Sequence, residues 1–394
     1  MKNLPFLPGN RQRPWPLLCV VFLSLFVLLA VVVAGCDKES PLDAPTTDAQ
    51  QNFAKESGVN ALQGAAPVVL SVKELGIVSK PSTVVTRDGG ESALIGGQIL
   101  WTFGDTFFNT KAADGDSFRS NTAALANPAD PLNVTKPPLD ANETPYQALP
   151  FTAAEDAYND ATGNKYDRIA LWFGGLVPDK NGSGLAFYKK LYVKGPLSFP
   201  PIGVGTAHFA PGKTTGVRDP KLLFTASEPQ FVRPMLYNAY VYLYGNLKYG
   251  DSSLPFGVTR APLAKATKRS AYQFWNGTQW SSNINTTAKV FDGIPGAVSV
   301  SYNAYLQCFI AVHSEYIPNF GTTNKIVLRT ASKPEGEWSA PQVLFMGMQP
   351  VGNSNRAGQE HPELAKNGGK TIYVSYYRPL GLQGELRLVE VTFQ

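Results

Sequence analysis

Cysteine, histidine and charge are all scarce in this chain. Of 394 residues, three are Cys and three are His, and 16% are charged, against roughly 25% in ordinary globular domains. Three cysteines build no disulfide framework. His208 and His313 have no neighbours at metal-ligand spacing, and no HExxH, EF-hand loop, P-loop or GxSxG occurs. No metal and no cofactor is therefore expected. Positive charge is lacking too. Lys2, Arg11 and Arg13 lie in the first 35 residues, which hold no acid, and beyond them 32 basic residues face 30 acidic ones. So small an excess leaves no electrostatic footprint for nucleic acid. Aromatics are not scarce, at 11%, which excludes a disordered solvating polymer.

Only one long apolar run exists, residues 17–34, which argues against a polytopic membrane protein. A basic, proline-containing stretch precedes it. Val33, Ala34, Gly35 and Cys36 follow in the order of a bacterial lipobox. The expected organisation is a lipoprotein signal over 1–35, lipid on Cys36, a flexible tether over 36–66 and one folded domain over 67–394. The tether is rich in Ala, Ser, Thr, Asp and Gln. An uncleaved anchor is the alternative. Either reading sends the domain out of the cytoplasm, into the bacterial cell envelope, and the domain is expected to be a monomer. Cys308 sits in an apolar, strand-like segment and reads as a small core residue.

From residue 68 onward no convincing amphipathic helix is visible. Short β-rich runs alternate with Gly, Pro, Asn and Asp, which favours a sandwich, barrel or propeller. Five segments share an aromatic strand pattern: 99–105 (ILWTFGD), 169–175 (IALWFGG), 240–246 (YVYLYGN), 307–313 (QCFIAVH) and 371–377 (TIYVSYY). Their near-constant spacing predicts radial repetition of one sheet, an all-β propeller of five blades, with a sandwich as the alternative. Gly96-Gly97 predicts a two-residue hairpin turn between residues 91–95 and 98–104. Asn238-Ala239 predicts another, and 367–369 a third, after a strand at 361–365.

The first hairpin carries the chemistry. With Gly96-Gly97 as the turn, Asp88 faces Asp105 across two strands. Opposed like charges destabilise a sheet pair unless something uses them. Close carboxylates also split in pKa, as acid/base cleavage of a glycosidic bond requires. Glu228, fixed by Pro229, is a third acid at a strand start. Glu360, His361 and Glu363 stand before the fifth unit's strand. Arg87, Arg119, Asn121 and Asp219 are further candidates for binding sugar hydroxyls, each with a plain turn reading beside it.

Residues 86–90 (TRDGG), 100–106 (LWTFGDT), 119–124 (RSNTAA), 240–245, 258–263, 300–303 and 372–377 resemble, in that order, domain-of-unknown-function family 4185. The resemblance spans about 70–393. It implies a five-bladed propeller similar to the furanosidases of glycoside hydrolase family 43, and some members act as endo-D-arabinofuranosidases. By that likeness one of Asp88 and Asp105 is base or nucleophile, the other tunes charge, and Glu228 donates the proton. Here Glu228-Pro229-Gln230 stands where furanosidases usually have Glu-Gly-Pro. The expected partner is a furanose-containing polysaccharide such as D-arabinan. The competing reading is a propeller that binds glycan or protein without cleaving it.

Overall fold

In a computed structural model the chain folds as a five-bladed β-propeller. The structure describes residues 67–394 except 136, 163–165, 196–197, 252, 294–296, 318–321 and 382. The segments expected to be signal and tether, with Cys36, lie outside the described residues. Strand β1 (Val69–Ile77) comes first but belongs to the last blade. Blade one holds β2 (Val84–Ile95), β3 (Gln98–Phe108), the short β4 (Phe118–Arg119), β5 (Thr122–Asn127) and β6 (Asp130–Thr135). After helix α1 (Ala153–Thr162), blade two holds β7 (Asp167–Pro178), β8 (Gly184–Lys194), β9 (Pro201–Phe209), β10 (Val217–Arg218) and β11 (Phe224–Thr225). Blade three holds β12 (Gln230–Tyr237), β13 (Tyr240–Asn246), β14 (Phe256–Pro262), β15 (Gln273–Trp275) and β16 (Trp280–Ser281). Blade four holds β17 (Ser299–Asn303), β18 (Cys308–Ser314), β19 (Lys325–Ala331) and β20 (Gln342–Met346). Blade five holds β21 (Arg356–Glu360), β22 (Thr371–Leu380) and β23 (Gln383–Phe393), with β1 as its outermost strand.

The innermost strands β2, β7, β12, β17 and β21 neighbour one another around the axis. Both faces of each blade are covered by the next blade, so central strands read as continuous apolar runs. Apolar clusters fill each interface. Phe187, Phe224, Phe231 and Phe274 lie between blades two and three, and Ile326, Leu344, Val374 and Val389 between blades four and five. Gly174 shows how close the blades come. A Cβ there would stand 2.2 Å from Val232 Cγ2 of the next innermost strand.

Three sequence expectations meet a different structure. The segment 169–175 is not equivalent to the other four. It lies in the innermost strand β7, whereas 99–105, 240–246, 307–313 and 371–377 fall in or begin just before the second strands. The second strand of blade two is β8. The connection that carries α1 lengthens the passage from blade one, so the even spacing was partly accidental. The strand expected at 361–365 is a 3-10 turn, Pro362–Leu364, because Pro362 cannot donate to a ladder. The strand before it ends at Glu360. A helix does exist: α1 begins in a capping box, with Thr152 N–H donating to Glu155 Oε2 at 2.8 Å and Glu155 N–H to Thr152 Oγ1 at 3.4 Å.

Ring closure joins the first and last strands of the described residues. β1 pairs antiparallel with β23, from Val69 opposite Phe393 to Ile77 opposite Arg387. Val78 N–H then donates to Leu386 O at 2.9 Å. A buried chain of hydrogen bonds backs the seam. Ser92 of β2 meets His361 Nδ1 at 2.6 Å and donates to Glu363, and His361 Nε2 meets Ser375 at 2.7 Å. Glu360, in β21, accepts from Ser301 of blade four at 2.5 Å. Expected as sugar contacts, Glu360 and His361 are almost wholly buried, and the Glu363 side chain is sealed with His361. They tie blades four, five and one together.

Two predictions follow from this architecture. Deleting residues 67–77 strips β23 of a ladder of seven paired positions. At about 1 kcal/mol per hydrogen bond the loss is on the order of 5 kcal/mol, so Tm in calorimetry should fall by ~10 °C or more. The second concerns Glu91 of β2, which burial pushes up to about 8 from its ordinary 4.5, against the lowering charge of Arg233. Its folded pKa is raised, so its stabilising contribution is complete below pH 4.5 and is lost as pH rises to about 8. The Tm of Glu91→Gln relative to the native chain should therefore be more favourable at pH 8 than at pH 5.

Candidate functional site

Asp88 and Asp105 do meet, by a route the simple register misses. Ile95 pairs with Gln98, Glu91 with Thr102 and Arg87 with Thr106, as a Gly96-Gly97 turn dictates. Between them two irregularities offset each other, and Gly89 stands opposite Phe103. Asp88 alone then spans Gly104 and Asp105 of β3. A Cβ at Gly104 would lie 2.9 Å from Asp88 Oδ1. The glycine of the Phe-Gly-Asp element is what lets the first carboxylate lie over the second strand.

Each carboxylate is answered by an arginine from a neighbouring blade. Arg356, at the start of β21, donates to Asp88 Oδ2 at 3.0 Å and lies 4.2 Å over the Tyr377 ring. Arg168, near the start of β7, donates to Asp105 Oδ2 at 2.6 Å. Trp172 Nε1 donates to Asp105 Oδ1 at 3.0 Å. The side chains of Asp88 and Asp105 keep 16% and 12% of their surface exposed, so both remain reachable. Burial raises the Asp105 pKa and the Asp88 charge adds to it, against the Arg168 and Trp172 contacts that lower it. Asp105 thus holds a proton more readily than a free aspartate.

Glu228 has other company. Its Oε1 accepts from Arg269 Nε at 3.0 Å and from a second guanidinium nitrogen at 2.7 Å. Its Oε2 accepts from Thr225 N–H at 2.8 Å. Arg269 in turn lies over the rings of Phe224 and Phe274, in the layer between blades two and three. Burial would raise the Glu228 pKa, but the Thr225 N–H and the guanidinium outweigh it and the pKa is lowered. None of these partners belongs to the Asp88–Asp105 pair.

The remaining candidates separate. Arg87 points away from Asp88 on the alternating face of β2. It is buried, 3.6 Å over the Phe103 ring, and donates to Ser79 O at 2.6 Å. Burial brings its pKa down to about 9. Asn121 bridges backbone groups of Leu171 and Leu149 at 2.9 and 2.7 Å, joining blades one and two. Asp219 accepts from Thr206 at 2.6 Å on blade two and approaches His208 at 3.3 Å. Arg119, almost wholly buried, pairs with Thr106 of β3 next to Asp105 and lines a cavity. It is held by Asp114 and Asp116 at 2.8 and 2.6 Å. Cys308 begins β18, and burial pushes its thiol up to about 11.

Sequence reasoning missed Arg168, Trp172 and Arg356, which come from other blades. It also missed a cavity of about 1040 Å³ that Arg119 and Arg168 line together with the loop at 111–120 and residues of α1. Arg168 belongs both to this cavity and to the carboxylate pair. Among the described residues, no group of three or more His, Cys, Asp or Glu could hold a metal ion. Among them, no helix is long and apolar enough to cross a membrane.

Solved structures share this architecture. A protein from Bacteroides ovatus, provisionally described as a hydrolase, superposes with a TM-score of 0.54 at 15% identity, over 79% of this chain and 87% of its own. An exo-beta-1,3-galactanase from Phanerochaete chrysosporium gives 0.47 at 11% identity, over 81% of this chain and 63% of its own. A GH43_1 enzyme from Xanthomonas citri gives 0.45 at 13% identity, over 80% and 90%. At such identities the likeness is one of fold. No curated protein matches the sequence. The family match covers 213–389, so the motifs at 240–245, 258–263, 300–303 and 372–377 lie inside it and those at 86–90, 100–106 and 119–124 lie before it. The chain is a five-bladed β-propeller whose residues 213–389 match the family described as Domain of unknown function (DUF4185).

Proposed function

We propose that this propeller is a glycoside hydrolase whose substrate is a furanose-containing polysaccharide such as D-arabinan. The observation that carries the reading is the carboxylate pair itself. Two acids on adjacent strands meet near the start of an innermost strand, and a glycine is kept between them. Cleaving a glycosidic bond needs one carboxyl that holds a proton and one carboxylate that attacks or activates water. Asp105, with its raised pKa, suits the first role. Asp88 then serves as base or nucleophile. Glu228 was the proton donor expected from family likeness. Its lowered pKa runs against that task, so Asp105 takes it in this reading. Arg356 and Arg168 orient the two acids. The description of the Bacteroides ovatus relative as a hydrolase agrees. We further propose that the chain is exported, carries lipid on Cys36 and works as a monomer at the bacterial envelope.

One feature favours a second reading, glycan binding without cleavage. Both carboxylates are already paired with arginines, an arrangement that also serves a site that holds a ligand without reacting. A single experiment separates the two. Residues 67–394, which hold all five sheets and the closing strand, are incubated with D-arabinan, L-arabinan and other furanose and pyranose polymers, and released oligosaccharides are read by mass. Hydrolysis predicts oligomers from one polymer. Asp88→Asn and Asp105→Asn should each lower the rate at least ~10²-fold, the usual scale for an acid/base group, with Tm close to native. Binding without release from any polymer would establish the second reading.

A further inference from the structure

The cavity beside the carboxylate pair has walls of uneven charge. Its cations are Lys111, Arg119 and Arg168, and its acids are Asp114, Asp116, Asp156 and Asp160. Two of the three cations are already matched. Arg119 is shared by Asp114 and Asp116, and Arg168 is taken by Asp105, which lies outside the lining. Asp156 and Asp160 stand four residues apart on α1, hence on one face of the helix. Neither has a salt bridge to a cavity cation. The acids feel one another across the space. Burial raises the pKa of Asp116 against the lowering charge of Arg119, with Asp114 and then Asp160 adding to the rise, and burial and Asp160 raise that of Asp156 on the same helix. Asp114 and Asp116 are more than half exposed, so they face whatever enters.

We infer that this cavity is a glycan subsite that rejects anionic sugars and accepts neutral or amino sugars, with Asp116, Asp156 and Asp160 as its specificity-determining residues. The inference rests on the glycan reading above but concerns a different part of the surface. A carboxylated or sulfated unit would bring a negative charge into a space whose four acids outnumber its three cations, two of which are already paired, leaving only Lys111 to meet it. A protonated amine would instead relieve their mutual repulsion. A neutral unit meets hydrogen-bond acceptors and the rings of Phe118, Tyr146 and Phe151. The helix thus acts as a filter grafted onto the seam between blades one and two, and its acids lie outside the reacting pair.

The test compares three trisaccharide probes by calorimetry on the full-length chain: galactotriose, trigalacturonate and the corresponding galactosamine trimer. Trigalacturonate should bind at least ~10-fold more weakly than galactotriose, and the amino trimer at least as tightly. In Asp156→Asn/Asp160→Asn, and separately in Asp116→Asn on the opposite wall, that ratio should fall to about threefold or less. Equal affinity for uronate and neutral trimer in the native chain overturns the inference, as does a ratio unchanged in both variants. Binding of none of the three, and of no D-arabinofuranose trisaccharide either, also overturns the subsite. The hydrolysis assay above judges the glycan reading independently.

Discussion

A propeller of five blades has no core until its ring is shut. Each sheet buries its apolar faces only against its neighbours, so the seam between last blade and first decides whether the aromatic layers stay dry. Here the seam is made by pairing β1 with β23, and the inner hydrogen bonds of Ser92, His361 and Ser375 reinforce it. The site depends on that closure. Asp88 stands on blade one, but the arginine that holds it comes from blade five. Asp105 is oriented by blade two. An open ring would leave Asp88 without its counter-charge.

Several charges at the blade junctions are answered by a complement from a neighbouring element. Glu155, which caps α1, takes Arg218 and Lys190 of blade two. Glu228 takes Arg269, and the two central aspartates take their own arginines. Within the cavity, Asp114 and Asp116 share Arg119, while Asp156 and Asp160 of α1 add acid beyond that pairing, and a departure of this kind is where function is best sought.

Much of this was legible in the sequence, for a definite reason. Strand pairing across a tight turn is local, so Gly96-Gly97 fixed the hairpin and with it the meeting of Asp88 and Asp105. The aromatic strand pattern marked the right class of fold and the right number of blades. The failures are equally physical. The match at 169–175 failed because innermost and second strands are both buried on two faces and share one apolar signature. The helix was missed although Thr152 and Glu155 stand at capping-box spacing, because its apolar stripe is slight. Arg87, Asn121 and His361 read as ligands for sugar because polar residues near acids do. Whether such a side chain faces a cavity or a seam is a matter of packing, which no local pattern encodes. Arg168 and Arg356 were invisible for the same reason, since their roles arise from blades far apart in the chain.

The closing strand has a consequence in time as well as in space. β1 is the first of the described strands to be synthesised, and its partner β23 is the last, more than three hundred residues later. A contact of such sequence separation is slow to form, because most of the chain must be ordered before it is gained. Until then β1 is an unpaired strand beside an emerging chain, the situation in which strands pair wrongly. Lys73 and Glu74, exposed in its middle, put charge of both signs where a stray strand would add. The early segment of this protein is built to wait.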